Sequence, residues 1–289
     1  MIYLCLSILV SSSLFVIFKL FNRFHVNTFN AIVTNYVFAC LTGLFLYDHS
    51  WTMASVTERP WFGGTIFLGF MFIMIFMVMA RTAQEVGLSV ASVAGKMSLI
   101  IPVIFGVLVY GESAGLQKIF GILLALLAVV LVSVKNNKAH LNSKNLFLPL
   151  ILFAGSGIID TTIKYLETRY VSPTELPLYS SSIFGIAALF GFIIISYKAV
   201  RKRLEFRPRD IAGGLALGIP NYFSIFFILK ALRHESMESS VVFSVNNVAI
   251  VMLTTIFGII LFREQLQPRN WIGVFLAVIS ILLISLAKS

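Results

Sequence analysis

Ten apolar runs follow one another along a chain of 289 residues, and nothing else in the sequence restricts the fold as much. They cover residues 2–20, 28–47, 61–80, 88–110, 119–134, 147–165, 176–197, 211–232, 240–262 and 271–286. A helix needs ~20 mostly apolar residues to cross a hydrocarbon core. A segment in lipid must also satisfy its own backbone hydrogen bonds, and barrel strands would be shorter and alternating. All ten runs are therefore expected to be helices. Charged residues make up 12% of the chain, against ~25% in soluble domains, and the mean hydropathy is +0.95. Ten spans leave only short connections, with no room for a separate soluble domain. The expectation is an all-α, multi-pass protein of the cell membrane whose solvent is the lipid bilayer.

The formal net charge of +10 does not point to nucleic acid. Lys and Arg punctuate the apolar runs, where membrane topology places them, and form no basic face of a soluble domain. Cys5 and Cys40 each lie inside an apolar run and offer neither a disulfide framework nor a metal spacing. The first run begins at Met1 without a basic n-region or a small-x-small cleavage site, which reads as a retained helix. His25, His49, His140 and His234 lie far apart in connections, and no nucleophile–base pair or Walker motif is evident. No catalytic residue, metal or cofactor is expected.

The chain also carries an internal repeat. Shifted along itself, Arg81 to Val134 lies on Arg233 to Leu286 without a gap. Arg81 meets Arg233, Ser92 meets Ser244, Glu112 meets Glu264, Gly121 meets Gly273, Ala125 meets Ala277 and Ser133 meets Ser285. At a slightly different offset Lys19 meets Lys164. Chance readily matches Leu with Val, but not Arg, Glu and Gly over so long a gapless stretch. The halves are assigned to residues 1–138 and 145–289. Each holds five helices, an odd number, so the second half enters the membrane from the opposite side and the repeat is inverted. Inverted repeats are a common device of secondary transporters.

Ser12-Ser13-Leu14-Phe15 followed by Lys19 resembles the first-helix pattern of the EamA-type branch of the drug/metabolite transporter superfamily, although Ser11-Ser12 stands where Trp-Gly is usual. Tyr110-Gly111-Glu112 with Gly121, and Phe262-Arg263-Glu264 with Gly273, resemble that family's paired signature of an apolar helix, a Glu-bearing turn and a Gly-containing helix. The resemblance spans the whole chain. It implies ten helices, export of a small solute such as an amino acid or other metabolite, and termini in the cytoplasm; it also brings Ser12 into the candidate site. The charge count points the other way on orientation. Fourteen of the 22 Lys and Arg follow odd-numbered helices, seven lie on the other side, and Lys96 is within the membrane. By the positive-inside rule the termini are then outside. Access to a cysteine placed at Lys202 distinguishes the two.

Polar residues inside spans are costly and mark candidate sites. Lys96 lies well inside helix four and shares a face with Ser89 and Ser92 by i, i+3, i+7 spacing. It is expected to meet an anionic group of the substrate; the alternatives are snorkelling to the interface and pairing with Asp160. On helix nine, Ser244 and Asn247 belong to a polar stripe that either packs against another helix or lines a wet cavity. Asp160, one turn before Lys164, is a further candidate beside the reading of a plain i, i+4 ion pair. Asn35 and Tyr36 in helix two, with Asn221 and Tyr222 in helix eight, are candidate cavity-wall groups. Glu112 and Glu264 read as structural turn residues. The Gly121/Ala125 and Gly273/Ala277 spacings allow close helix packing within one chain or between two copies, which admits a homodimer. Pro102 and Pro220 each remove a mid-span hydrogen bond. The leading expectation is a secondary transporter exporting a small polar or amphipathic metabolite. A membrane-embedded enzyme and a non-transporting scaffold are the alternatives.

Overall fold

The computed structural model describes residues 2–47, 52–102, 104–105, 115–133, 143–172, 174–201, 205–232 and 239–286. Among them are eleven α-helices and no strand: α1 Ile2–Arg23, α2 Thr28–Phe45, α3 Met53–Thr57, α4 Phe62–Arg81, α5 Leu88–Met97, α6 Leu116–Ser133, α7 Ser143–Tyr170, α8 Leu176–Val200, α9 Pro208–Leu232, α10 Ser239–Phe262 and α11 Pro268–Leu286. Seven are long and apolar enough to cross a membrane, and three shorter apolar helices cover Leu88–Pro102, Ile119–Val132 and Pro268–Leu283. Nine of the expected runs reappear as helices with ends shifted by a few residues; of the fourth, 88–110, α5 covers Leu88–Met97 and residues 106–110 lie outside the described residues. The five-residue α3 has a different origin. A capping box between Thr52 and Ser55, each side chain accepting the other's backbone N–H, closes one polar turn.

The distribution of side chains is inverted relative to a soluble protein. Bulky apolar residues face outward, among them Phe67 (46% exposed), Leu123 (58%), Ile193 (65%) and Phe275 (64%), whereas Ser12, Asn35 and Ser92 are fully enclosed. Exposed apolar faces of that extent need lipid around them. Polar groups turned inward satisfy one another or line polar space.

The chain divides into two compact units, each drawing on both sequence halves: Met1–Leu20, Val78–Ile158 and Phe223–Ser289 form the first, Phe21–Met77 and Ile159–Tyr222 the second. The first is built on a cluster including Val93, Met97, Val129, Val132, Val251, Val274 and Ile281. Within it α6 and α11 pack antiparallel. Gln117 Nε2 donates to Leu283 O at 3.2 Å, Ser280 Oγ to Gly121 O at 2.7 Å, and Asn270 Nδ2 to Leu131 O and Val132 O at 3.1 and 3.0 Å. Gly273 has no Cβ because one would lie 2.6 Å from Val132 Cγ2 and 2.9 Å from Val132 N. The Gly121/Ala125 and Gly273/Ala277 stripes are thus spent inside the chain, where small residues bring two backbones together. Helix α1 runs parallel to α10, with Ser7 Oγ donating to Asn246 Oδ1 (3.1 Å) near one end and Lys19 meeting Glu264 at the other. It runs antiparallel to α9, where Tyr3 stacks on Phe227 and Ser7 donates to Ser224 O.

In the second unit α2 and α8 are antiparallel. Lys198 sits over the Phe29 ring at 4.2 Å, Val33 packs on Gly191 and Cys40 on Gly185. Helix α9 runs parallel to α2, with Gly214 against Thr34 and Gly218 against Asn35 O. Helix α4 runs parallel to α8, from Trp61 against Tyr179 to Phe70 against Phe190. Pro220 sits inside a continuous α9. The interruption lies instead between α4 and α5, where Thr82–Val86 forms a π turn ended by Gly87.

Candidate functional site

That interruption organises the polar groups of the first unit. The π turn is closed by Gly87 N–H donating to Thr82 O at 2.9 Å, and Thr82 Oγ1 donates back to Val78 O at 2.7 Å. Gly87 then adopts φ +144°, which L side chains rarely reach, and a Cβ there would lie 3.2 Å from both carboxylate oxygens of Glu264. The chain restarts as α5, whose first N–H groups have no partner inside the helix. Glu264 supplies one: its Oε1 accepts from Leu88 N at 2.8 Å and lies 3.5 Å from Lys19 Nζ. Lys19 also donates to Gln84 O at 3.3 Å, and Gln84 Nε2 to Phe18 O at 2.8 Å. One carboxylate therefore joins α1, the α4–α5 break and the end of α10. Negative charge at a helix start is favourable by itself, and a lysine half withdrawn from water reinforces it.

Glu264 is held in place from its own side. Arg263 takes φ +51°, and Glu264 N–H donates to Gly258 O at 3.0 Å. Gly258 leaves room for the carboxylate, since a Cβ there would be 2.6 Å from Oε2. The reading of Glu264 as a turn residue thus missed its partners. No local pattern links Lys19 to Glu264, although each belongs to a family-like motif and occupies a repeat-matched position. Glu112, Gly111, Tyr110, His49, His140, Lys202, Arg233 and His234 lie outside the described residues.

Ser89, Ser92 and Lys96 follow along α5. Both serines are fully enclosed and Lys96 is half-buried. Ser92 Oγ donates to Ser89 O at 3.1 Å, but Ser89 Oγ has no hydrogen-bond partner in the protein. On α1, Ser12 is equally enclosed and its Oγ equally without a partner; it sits two turns before Lys19, on the same face. Asn247 on α10 is buried. Ser244 lies on α10, but its side chain falls outside the described residues.

The second unit holds the other expected residues. Asn221 Nδ2 donates to Asn35 Oδ1 at 3.2 Å, both amides being buried. Tyr36 donates its hydroxyl to Phe72 O at 2.7 Å, its ring enclosed by Phe72, Phe76 and Phe184. Tyr222 is buried beside Gly43. Asp160 is on an exposed position of α7. Among the described residues no group of His, Cys, Asp and Glu could hold a metal ion.

These elements define a helical multi-pass membrane protein with polar groups gathered inside an apolar envelope. The EamA-like transporter family matches residues 1–134 and again 144–286. The chain belongs to that family, and so to the drug/metabolite transporter superfamily of membrane transporters. An uncharacterised protein of Haemophilus influenzae is 25% identical over 287 residues, covering 96% of this chain and 95% of that one. A protein of known crystal structure is similar in fold, with a TM-score of 0.57 at 14% identity and 96% of each chain covered.

Proposed function

We propose that the chain is a ten-span secondary transporter built from two inverted repeats, exporting a small polar or amphipathic metabolite, such as an amino acid, across the cell membrane by alternating access. The observation that carries this reading is the pair of enclosed hydroxyls without partners, Ser12 and Ser89. A buried hydroxyl left unsatisfied costs ~1–3 kcal/mol, so such groups persist where water or a solute meets them. They sit on the faces of α1 and α5 that also carry Lys19 and Lys96. Substrate binding is assigned to Ser12, Ser89, Ser92 and Lys96, with Ser244 and Asn247 from the repeat-related α10. Lys96 meets the anionic group of the solute.

Helix directions support the ten-span topology. Helices α1, α2, α4, α5, α6, α7, α8, α9, α10 and α11 would be ten successive crossings, with α3 outside the count. Odd and even crossings must then oppose each other, while crossings of equal parity run together. The pairs α6/α11, α2/α8 and α1/α9 are antiparallel, and α1/α10, α2/α9 and α4/α8 are parallel, as that scheme requires. The inverted repeat draws on the same pattern, since α6/α11 and α2/α8 are repeat-related pairs. Two separate family matches support the duplication.

The test compares solutes in medium and cells with and without overexpression, then measures flux of any redistributed solute in vesicles containing the purified protein. Lys96→Met is expected to abolish flux while folded protein still reaches the membrane, and Lys96→Arg to retain part of it. No redistribution together with no vesicle flux would overturn the transport reading. Unaltered flux in Lys96→Met would remove the lysine from the site.

A further inference from the structure

A second polar feature lies in the other unit, at the ends of the spans. The turn between α1 and α2 and the connection between α8 and α9 enclose a cleft of about 260 Å³, lined by Phe21, Asn22, His25, Val26 and Asn27 from one side and Glu205, Arg207, Arg209 and Asp210 from the other. That volume is on the order of several waters' share of the liquid, at ~30 Å³ each, which suits one compact polar group. We propose that this cleft binds the phosphate of an anionic phospholipid headgroup, with Arg209 as its principal donor.

The two acids in the wall are already committed. Asp210 is buried, and its carboxylate accepts from Asn27 N at 2.8 Å, Asn30 Nδ2 at 3.0 Å and Arg207 N at 3.2 Å. Three donors on two oxygens fix it as the clasp between the α8–α9 connection and the start of α2. Asn30 Nδ2 also donates to Glu205 O at 2.7 Å, closing the same clasp. The Glu205 carboxylate pairs with the Arg207 guanidinium. Arg209 is in the opposite condition. Its Nε is cut off from solvent and has no hydrogen-bond acceptor. Arg209 lines the cleft while its Nε has no acceptor within the chain, so its guanidinium is not held by a carboxylate there and can turn its donors to an oxygen from outside. The planar fork of an arginine fits the oxygens of a phosphate in pairs. His25 and Asn22 add donors on the facing wall.

The surroundings favour a lipid over a free anion. The cleft sits where α1 and α8 end and α2 and α9 begin, the level of headgroups for helices of this length. Phe24 and Phe206, next to the lining residues in sequence, are exposed, as is Tyr197 beneath Arg201, whose guanidinium lies 5.5 Å from the ring centre. Aromatic residues at span ends are the usual anchors in the interfacial layer. Residues 198–209 carry six Lys and Arg against one Glu, and basic clusters beside a span attract anionic lipid. Lipid binding at this cleft is independent of transport, and Arg209 is outside the proposed substrate set.

Thermal unfolding of the full chain in a neutral detergent, with added phosphatidylglycerol, phosphatidylcholine or inorganic phosphate, tests it. Phosphatidylglycerol is expected to raise the Tm by several degrees in the wild type and phosphatidylcholine to have far less effect. Arg209→Gln is expected to lose the difference and Arg209→Lys, which keeps the charge but not the fork, to retain part of it. If Arg209→Gln does not purify as a single species, Arg209→Lys carries the comparison. An equal phosphatidylglycerol shift in the variant and the wild type would overturn the site, and so would no shift at all. An Arg209-dependent shift from inorganic phosphate alone, with none from the lipid, would overturn the lipid assignment.

Discussion

Glu264 shows how much one side chain carries when it is shared between elements. Its carboxylate serves an N–H that α5 cannot satisfy internally and a lysine that has lost much of its water. Removing it in Glu264→Ala strands both, and hydrogen bonds to charged groups are worth ~1.5–3 kcal/mol. Glu264→Gln keeps an acceptor for Leu88 but loses the charge, and should cost less. Lys19→Met removes the cation itself and leaves the carboxylate bonded to Leu88 N–H at the start of α5, so it strands no donor and should cost least. The expected order in detergent is therefore Glu264→Ala lowest in Tm, then Glu264→Gln, then Lys19→Met. Equal Tm values for Glu264→Ala and wild type would remove the carboxylate from this role. The sequence marks Lys19 and Glu264 separately, as repeat-matched positions within the family-like patterns, and does not join them. Their pairing joins residues 245 positions apart, a separation at which no local pattern operates.

At the level of helices, glycine placement decides which pairs approach closely. A Cβ on Gly273 would meet the backbone nitrogen of Val132 at 2.9 Å and the carbonyl oxygen of Ala128 at 3.1 Å. Backbone atoms of a packed helix cannot swing aside, so α6 and α11 would have to separate. Overpacking of that kind costs ~1–3 kcal/mol. Gly95 offers the control, because a Cβ there would meet nothing within 4 Å. Gly273→Ala should lower the Tm by several degrees and Gly95→Ala leave it unchanged or raise it slightly, as alanine is the better helix former by ~1 kcal/mol. If both variants unfold together with the wild type, the α6–α11 contact is looser than described. The apolar runs made these helices readable, and the small-x-x-x-small spacing flagged Gly273 for packing. Its partner was not readable, because that spacing is the same against any neighbour. The π turn before Gly87 escaped as well: Arg81 to Gly87 has the composition of an ordinary connection, and its geometry depends on Glu264 from far along the chain.

Across the whole molecule, the class of protein follows from hydropathy alone, while the polar interior follows only from which faces the helices turn to each other. In sequence Ser89 stands out only by the face it shares with Lys96, and Ser12 only by the family-like first helix; that both are enclosed without partners is visible only in the fold. Asn35 and Asn221 were separate candidates in sequence and are one hydrogen-bonded pair in the fold. Helix α6 comes from the first half of the chain and its cover, α11, from the second; the same is true of α2 and α8. Either half of the chain made alone would leave its side of both contacts open to lipid. Two halves made as separate polypeptides would still present matching grooves, because no covalent link contributes to either contact. Residues 1–138 and 145–289 expressed separately should each be degraded, whereas co-expression should recover a stable complex that purifies through a tag on either piece. Stable accumulation of one piece alone would mean that its grooves close on something else. On that account the linker adds only proximity and a fixed one-to-one ratio, since each half completes the helix packing of the other.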